Sequence, residues 1–245
     1  MKKQRRISAL HTAATWAGLP LITGTFGSIA MVTALMGNRE IPEWASRTWA
    51  RWLLALAGVT LEISFDADAA TDGHYVLVSN HTSHLDVPCI ILAWPGPVRF
   101  VTKRSLFAIP VFGQALAAVG HIPVVRGNSD QAKAALQKAI GPLKEWVSVL
   151  FFAEGTRSRD GELQRFKKGC LALAEEAGVP LSPVAVVGTH EVLPRGSGLI
   201  APGLVRVHFG AALEGLESAE RPRGERIQEL RDAVVRAMET TRPSL

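Results

Sequence analysis

Two short polar turns, each fed by an apolar run, hold the side chains best suited to chemistry. The first is Val76-Leu77-Val78-Ser79-Asn80-His81-Thr82-Ser83-His84-Leu85-Asp86, which leads into a helical pattern near Pro88. His81 and Asp86 stand five positions apart across the turn, so the chain can fold back and let the carboxylate take the proton of one imidazole nitrogen. The other nitrogen is then free to act as a base. A neutral histidine near pH 7 suits removal of a hydroxyl proton, and a positioned base contributes about 10²–10⁴ in rate. Two other readings fit the same residues. Ser83 and Asp86 match a helix capping box, with His81 an ordinary hydrogen-bonding group after a strand. His81, His84 and Asp86 also loosely resemble the clusters of zinc hydrolases, although their spacing is wrong for the usual one and no later ligand completes the set.

The second turn is Phe151-Phe152-Ala153-Glu154-Gly155-Thr156-Arg157-Ser158-Arg159. Gly155 permits close backbone approach, Thr156 offers a hydroxyl, and Arg157 offers a planar fork that grips phosphate with two hydrogen bonds. A basic group, Phe166-Lys167-Lys168-Gly169, follows before the next helix and also reads as a solvated helix start. A third place is Gly120-His121-Ile122-Pro123-Val124-Val125-Arg126, where Arg126 could bring a second charge to a phosphate. Alone it is a surface arginine at a strand end.

Something must hold these turns together, and from Leu61 onward β-branched and aliphatic runs alternate with helical patterns, the mark of an α/β domain. Strands are predicted at Leu61–Phe65, Tyr75–Ser79, Val98–Thr102, His121–Val125, Val147–Phe152, Leu181–Val187 and Val205–Phe209. Asp66–Gly73 reads as a polar turn. Helices are predicted near Pro88–Trp94, Pro110–Ala118, Asp130–Lys144, Lys168–Ala177 and Gly224–Thr240, the last with Ile227, Leu230, Val234 and Met238 on one face for docking on the sheet. The expected architecture is a mixed, largely parallel sheet of about seven strands flanked by helices, with ligands at the strands' carboxyl ends.

Ahead of that domain, Lys2, Lys3, Arg5 and Arg6 precede a stretch with no charged residue until Arg39. Thr15 to Gly37 is uncharged over 23 residues, against roughly 20 for a bilayer crossing. Gly18, Pro20, Gly24 and Gly27 interrupt it, and Arg39, Arg47 and Arg51 put positive charge on its far flank too, so the positive-inside rule gives no clean single crossing. Pro42 to Val59 reads as an amphipathic helix with Ala45, Trp49, Trp52 and Leu56 on one side. The preferred expectation is a two-helix membrane anchor over residues 1–60 dipping into the cytosolic leaflet, with the α/β domain over residues 61–245. A single span and a cleaved signal peptide are the alternatives.

Composition narrows the function classes. Cys89 and Cys170, the two cysteines, form neither a disulfide framework nor a zinc motif. The net charge of +5 is modest for a nucleic-acid binder and comes with no nucleic-acid motif, so an anionic membrane surface is the better partner. There is no Gly-x-Ser-x-Gly elbow of a serine hydrolase.

In order, these pieces resemble the glycerophospholipid acyltransferase family over about residues 75–190. The resemblance is carried by the Asn-His-x-x-x-x-Asp block at Asn80–Asp86, the block Gly120–Arg126, Glu-Gly-Thr-Arg at Glu154–Arg157, and Val-Pro-x-x-Pro at Val179–Pro183. The segment Lys103–Gly113 also looks like the family's connecting segment. The resemblance implies an enzyme in which His81 deprotonates an acceptor hydroxyl, Asp86 orients it, and the oxygen attacks the thioester of acyl-CoA or acyl-carrier protein. Arg157, with Gly155, Thr156 and Arg126, would hold the phosphate of a lysophospholipid acceptor, with help from Lys103, while Glu154 would position the loop. No cofactor, metal or covalent enzyme intermediate is implied. Ala153 stands where the family commonly has proline and Ser105 where it often has an acidic residue, which bears on substrate preference. Other acceptors in the family include glycerol 3-phosphate and larger lysolipids. A metal-dependent lipid hydrolase and a catalytically silent lipid-binding scaffold are the competing functions.

Overall fold

Three runs in the middle of the chain show no polar alternation: Val76–Ser79, Ser148–Phe152 and Leu181–Val187 are almost wholly buried along their length. Strands of that kind need cover on both faces. The structure, a computed structural model, describes residues 9–69, 71, 73–125, 129–145 and 147–241. Lys2, Lys3, Arg5, Arg6 and Arg126 lie outside the described residues. Two helices, α1 (Ala9–Leu35) and α2 (Glu40–Leu56), lead into β1 (Val59–Phe65), β2 (Val76–Ser79), α3 (Asp86–Ala93) and β3 (Val98–Lys103). A 3-10 helix at Arg104–Ala108 precedes α4 (Phe112–Val119), β4 (Ile122–Val124), α5 (Ser129–Lys144) and β5 (Ser148–Phe152). The chain closes with α6 (Gly169–Ala177), β6 (Leu181–Val187), the short α7 (Thr189–Val192), β7 (Gly203–Phe209) and α8 (Arg223–Thr240).

The strands form one seven-stranded sheet in the order β1-β7-β6-β2-β5-β3-β4. Every pairing is parallel except β6 with β7, so the sheet is mixed. In the central register Leu77 of β2 stands opposite Leu150 of β5 and Ser182 of β6. Successive residues of a strand face opposite sides, and the core divides accordingly. Leu77, Leu150, Val184 and Val205 pack with Leu53 and Leu54 of α2 and with Cys89 and Ile90 of α3. Val76, Val78, Val149 and Phe151 pack on the other side with Leu143 of α5, Leu171 of α6, and Leu230 and Val234 of α8. Each such aliphatic side chain contributes about 1.5–3 kcal/mol on full burial. Two prolines sit inside strands without breaking the ladder. Pro123 lies in the edge strand β4, and Pro183 lies one residue before the β6–β7 ladder begins at Val184.

The parallel strands β2, β3, β4, β5 and β6 all end on one edge of the sheet. From β2 the chain crosses over α3 toward β3, whereas from β5 it crosses over α6 back to β6 on the other flank of β2. The connections therefore diverge at β2, and an open α/β sheet has its ligand crevice at such a point.

Several element limits differ from the sequence reading. α3 begins at Asp86, not Pro88, which places Asp86 inside the first helical turn. α2 ends at Leu56 because Gly58 takes a positive φ of 67° and β1 starts at Val59. At Gly58 a Cβ would stand 2.8 Å from Pro202. The glycines and Pro20 expected to interrupt the apolar stretch are carried within the continuous helix α1. Gly27 brings α1 close to α4: a Cβ there would stand 3.1 Å from Val111 Cγ1 and 3.4 Å from Ala115 Cβ.

Candidate active site

Asn80, the first residue after β2, extends the sheet with its side chain. Its amide donates to the Val186 carbonyl at 2.8 Å and accepts from the Val186 N–H at 2.8 Å. The backbone is thereby released from β2 and turns over the sheet edge. In the turn, Asp86 Oδ2 accepts from the N–H groups of Thr82 at 2.8 Å and Ser83 at 2.9 Å. Ser83 Oγ donates to the Leu193 carbonyl at 2.8 Å and accepts from Leu85 N–H. The carboxylate half of the expected capping box is thus present, while the serine hydroxyl is committed elsewhere. The N-terminus of α3 adds a favourable field for the Asp86 charge.

His81 completes the turn. Its Nδ1 lies 2.7 Å from Asp86 Oδ2, and its ring stacks on Phe152 with centroids 3.8 Å apart and planes 14° apart. A carboxylate has no hydrogen to give, so Nδ1 carries the proton and Nε2 holds the lone pair. Asp86 is 0% exposed and the His81 side chain 12% exposed, so the orienting group is dry and the imidazole keeps an open edge. Thr189, the first residue of α7, donates to Asp86 Oδ1 at 2.5 Å.

The second turn is tied to the first at His81. Glu154 Oε1 accepts from His81 N–H at 2.7 Å, and Glu154 Oε2 accepts from Gln164 N–H at 3.0 Å. Ser158 N–H donates to the His81 carbonyl at 2.7 Å. Gly155, Thr156 and Arg157 are therefore bracketed between two residues hydrogen-bonded to the histidine backbone. Gly155 has φ 73°, and a Cβ there would meet Lys167 Nζ at 2.7 Å. Arg195 holds the Arg157 carbonyl. Burial pushes the Glu154 carboxyl up to about 7, opposed by the two N–H donors it accepts. The His84 imidazole, on the outer side of the turn, is shifted down by partial desolvation and then by the positive charge of Arg157. A cleft of ≈ 530 Å³ adjoins this turn, lined by Arg159, Asp160, Glu162, Leu163, Gln164 and Arg195.

The structure brings His81, Asp86, Glu154, Gly155, Thr156 and Arg157 to adjoining strand ends. Lys103 is the last residue of β3 and exposed, two strands from His81, or about 10 Å across the sheet. Cys89 and Cys170 are buried, and burial pushes both thiols up, that of Cys170 to about 12, so neither is a nucleophile. Among the described residues no three His, Cys, Asp or Glu side chains group as a metal site would need. Sequence reasoning missed Asn80 as a clamp, Ser158 as a brace, Phe152 as the platform under the imidazole, and Thr189. The Gly188-Thr189 pair directly after β6 was the available signal for the last.

The acyltransferase family model matches residues 60–187, more than half of the chain. The chloroplastic 1-acyl-sn-glycerol-3-phosphate acyltransferase BAT2 of Brassica napus is 39% identical over 139 residues, covering 56% of this chain and 40% of that protein. The chain thus matches less than half the length of that relative. A 1-acyl-sn-glycerol-3-phosphate acyltransferase of Borreliella burgdorferi is 29% identical over 76% of this chain and 75% of its own length. The fold resembles the crystal structure of the 1-acyl-sn-glycerophosphate (LPA) acyltransferase PlsC from Thermotoga maritima, with a TM-score of 0.80, 22% identity, and 96% and 97% of the two chains covered. A histidine-carboxylate turn braced against an arginine-bearing turn lies within the residues that the family model matches, and this chain belongs to the acyltransferase family.

Proposed function

We propose that the protein transfers a fatty acyl group from acyl-CoA or acyl-carrier protein to the sn-2 hydroxyl of 1-acyl-glycerol 3-phosphate, giving phosphatidic acid. The observation that carries this reading is the 2.7 Å hydrogen bond between buried Asp86 and His81, on a turn braced through Glu154 and Ser158 to the Arg157 turn. His81 Nε2 takes the proton of the acceptor hydroxyl as its oxygen attacks the thioester carbonyl carbon. The tetrahedral intermediate then collapses, the carbon–sulfur bond breaks, and the imidazolium returns the proton to the departing thiolate. Arg157 and the Thr156 hydroxyl hold the acceptor's phosphate, Gly155 shapes the turn through its positive φ while its N–H is held by the Phe152 carbonyl, and Lys103 and Arg126 add positive charge. Glu154 positions the turn and does not touch the anion. Residues 61–245 form the catalytic domain in this reading.

Residues 1–60 serve as a membrane anchor placed on the cytosolic leaflet, where the thioester donors are. α1 is long and apolar enough to cross a bilayer. It lies along the domain, however. Near its start Trp16 Nε1 donates to the Gly198 carbonyl at 2.7 Å and Thr12 Oγ1 accepts from Ile200 N–H, while Gly27 packs on α4. These contacts span 15 residues of helix, or about 22 Å. Leu10, Trp16, Leu21, Leu35 and Met36 of this helix and its end, with Trp44 and Trp52 of α2, remain exposed. That arrangement suits a helical pair lying in the leaflet.

The test is acyl transfer by detergent-solubilised protein from labelled acyl-CoA and acyl-carrier protein to lysophosphatidic acid, glycerol 3-phosphate and larger lysolipids. Phosphatidic acid as the main product supports the assignment. Transfer confined to another acceptor would change the substrate and keep the chemistry, and release of free fatty acid would point to a hydrolase.

A further inference from the structure

We infer that Thr189 is a positioning residue for this reaction: its hydroxyl locks the Asp86 carboxylate, and through it the His81 imidazole, in the working orientation. The inference rests on His81 being the base. Asp86 Oδ2 takes three donors, His81 Nδ1–H, Thr82 N–H and Ser83 N–H, all from the turn that carries Asp86 itself. Those three donors hold Oδ2 from within the turn, and the donor to the second oxygen comes from a different element. Thr189 comes from the end of β6, more than a hundred positions away in sequence, and supplies the hydrogen bond to Oδ1 at 2.5 Å. It fixes the rotation of the carboxyl group and therefore which oxygen faces His81.

The surroundings make that hydroxyl directional. Thr82 Oγ1 lies 3.0 Å from Thr189 Oγ1, and both threonines are buried, Thr189 at 0% exposure. With the Thr189 hydrogen committed to the carboxylate, Thr82 donates to Thr189, giving a chain from Thr82 to Thr189 to Asp86. The backbone is shaped for this placement. Gly188 takes φ 104°, and a Cβ there would lie 2.3 Å from the Leu204 carbonyl oxygen, so the chain turns directly from β6 into Thr189 only with glycine at this position. Removing the hydroxyl while keeping the shape leaves Oδ1 buried without its donor.

The experiment measures kcat and KM per folded protein for the full chain and for Thr189→Val, Thr189→Ser, Thr189→Ala, His81→Ala, Asp86→Asn and Asp86→Asn/Thr189→Val. Thr189→Val is expected to lower kcat about tenfold, the rate equivalent of one hydrogen bond to a charged group, with both KM values within about twofold. Thr189→Ala gives the same split if valine fails to fold. Thr189→Ser is expected to restore most of kcat. In the Asp86→Asn background, where the charge to be held is gone, Thr189→Val should cost less than about threefold more. Wild-type kcat in folded Thr189→Val or Thr189→Ala, no rescue by serine, or an undiminished penalty on top of Asp86→Asn would each overturn the inference. Wild-type activity in His81→Ala would remove the base itself, a failure distinct from a silent Thr189.

Discussion

Replacing Asp86 with asparagine separates the charge of this carboxylate from its architecture. Asparagine can place its oxygen where Oδ2 now accepts from His81 Nδ1, Thr82 N and Ser83 N, and turn its NH2 toward Thr189 Oγ1. The opposite rotamer would set the NH2 against two backbone N–H donors. The Nδ1–H tautomer therefore survives, and what is lost is the charge that stabilises the imidazolium as the hydroxyl proton arrives. Opposite charges about 4 Å apart at an effective dielectric of 20 interact by about 4 kcal/mol. At about 1.4 kcal/mol per decade that corresponds to a loss of up to about 10³ in kcat. The assay is thiol release from acyl-CoA in the presence of lysophosphatidic acid, with thermal melts to establish folding. Asp86→Asn is expected to keep its acceptor KM within about threefold and its melting temperature within a few degrees. A folded Asp86→Asn variant with kcat near wild type would refute the reasoning, as would an effect confined to KM.

Arg157→Ala should raise the acceptor KM by about 10-fold or more and change kcat less, since hydrogen bonds from a charged donor are worth about 1.5–3 kcal/mol; an unchanged KM would place the phosphate elsewhere. Gly188→Ala should destabilise by more than about 2 kcal/mol, because the Cβ meets backbone. Gly178→Ala, also at positive φ but in open space, should cost only about 1 kcal/mol, and denaturant melts distinguish the two. Glu154 holds its proton in the folded state up to about pH 7, well above its ordinary value of 4.5. Its contribution to stability is full below about pH 4.5 and declines as pH rises to about 7, because the unfolded chain has already released the proton. Urea midpoints across pH 5–8 should therefore show a downward slope in wild type that Glu154→Gln removes. Leu21→Glu with Leu35→Glu on the outer face of α1 should weaken binding to anionic vesicles more than about tenfold, read by sedimentation.

The runs Tyr75–Ser79, Val147–Phe152 and Leu181–Val187 were legible as strands, and as β2, β5 and β6 they form the middle of the sheet. His81 with Asp86 was legible because the partners are local, joined across a single turn. Thr189 and Ser158 were not, because they reach the His81 turn only through pairings between distant strands, β2 with β6 and β2 with β5. The antiparallel placement of β7 was hidden for the same reason, since strand order follows from tertiary packing rather than from any one segment. The 3-10 helix at Arg104–Ala108 escaped periodicity because a five-residue element has no pattern to read. α1 runs through Pro20 and its glycines, so breaker residues alone were a poor guide to helix limits in an apolar segment.

The most direct measurement quantifies phosphatidic acid formed from labelled acyl-CoA and lysophosphatidic acid by wild-type protein and by His81→Ala at matched folded concentration. The expected result is phosphatidic acid from the wild type and at least about a hundredfold less from His81→Ala, with unchanged melting. Equal product from the two proteins, or free fatty acid in place of phosphatidic acid from the wild type, would contradict His81 as the base of an acyl transfer.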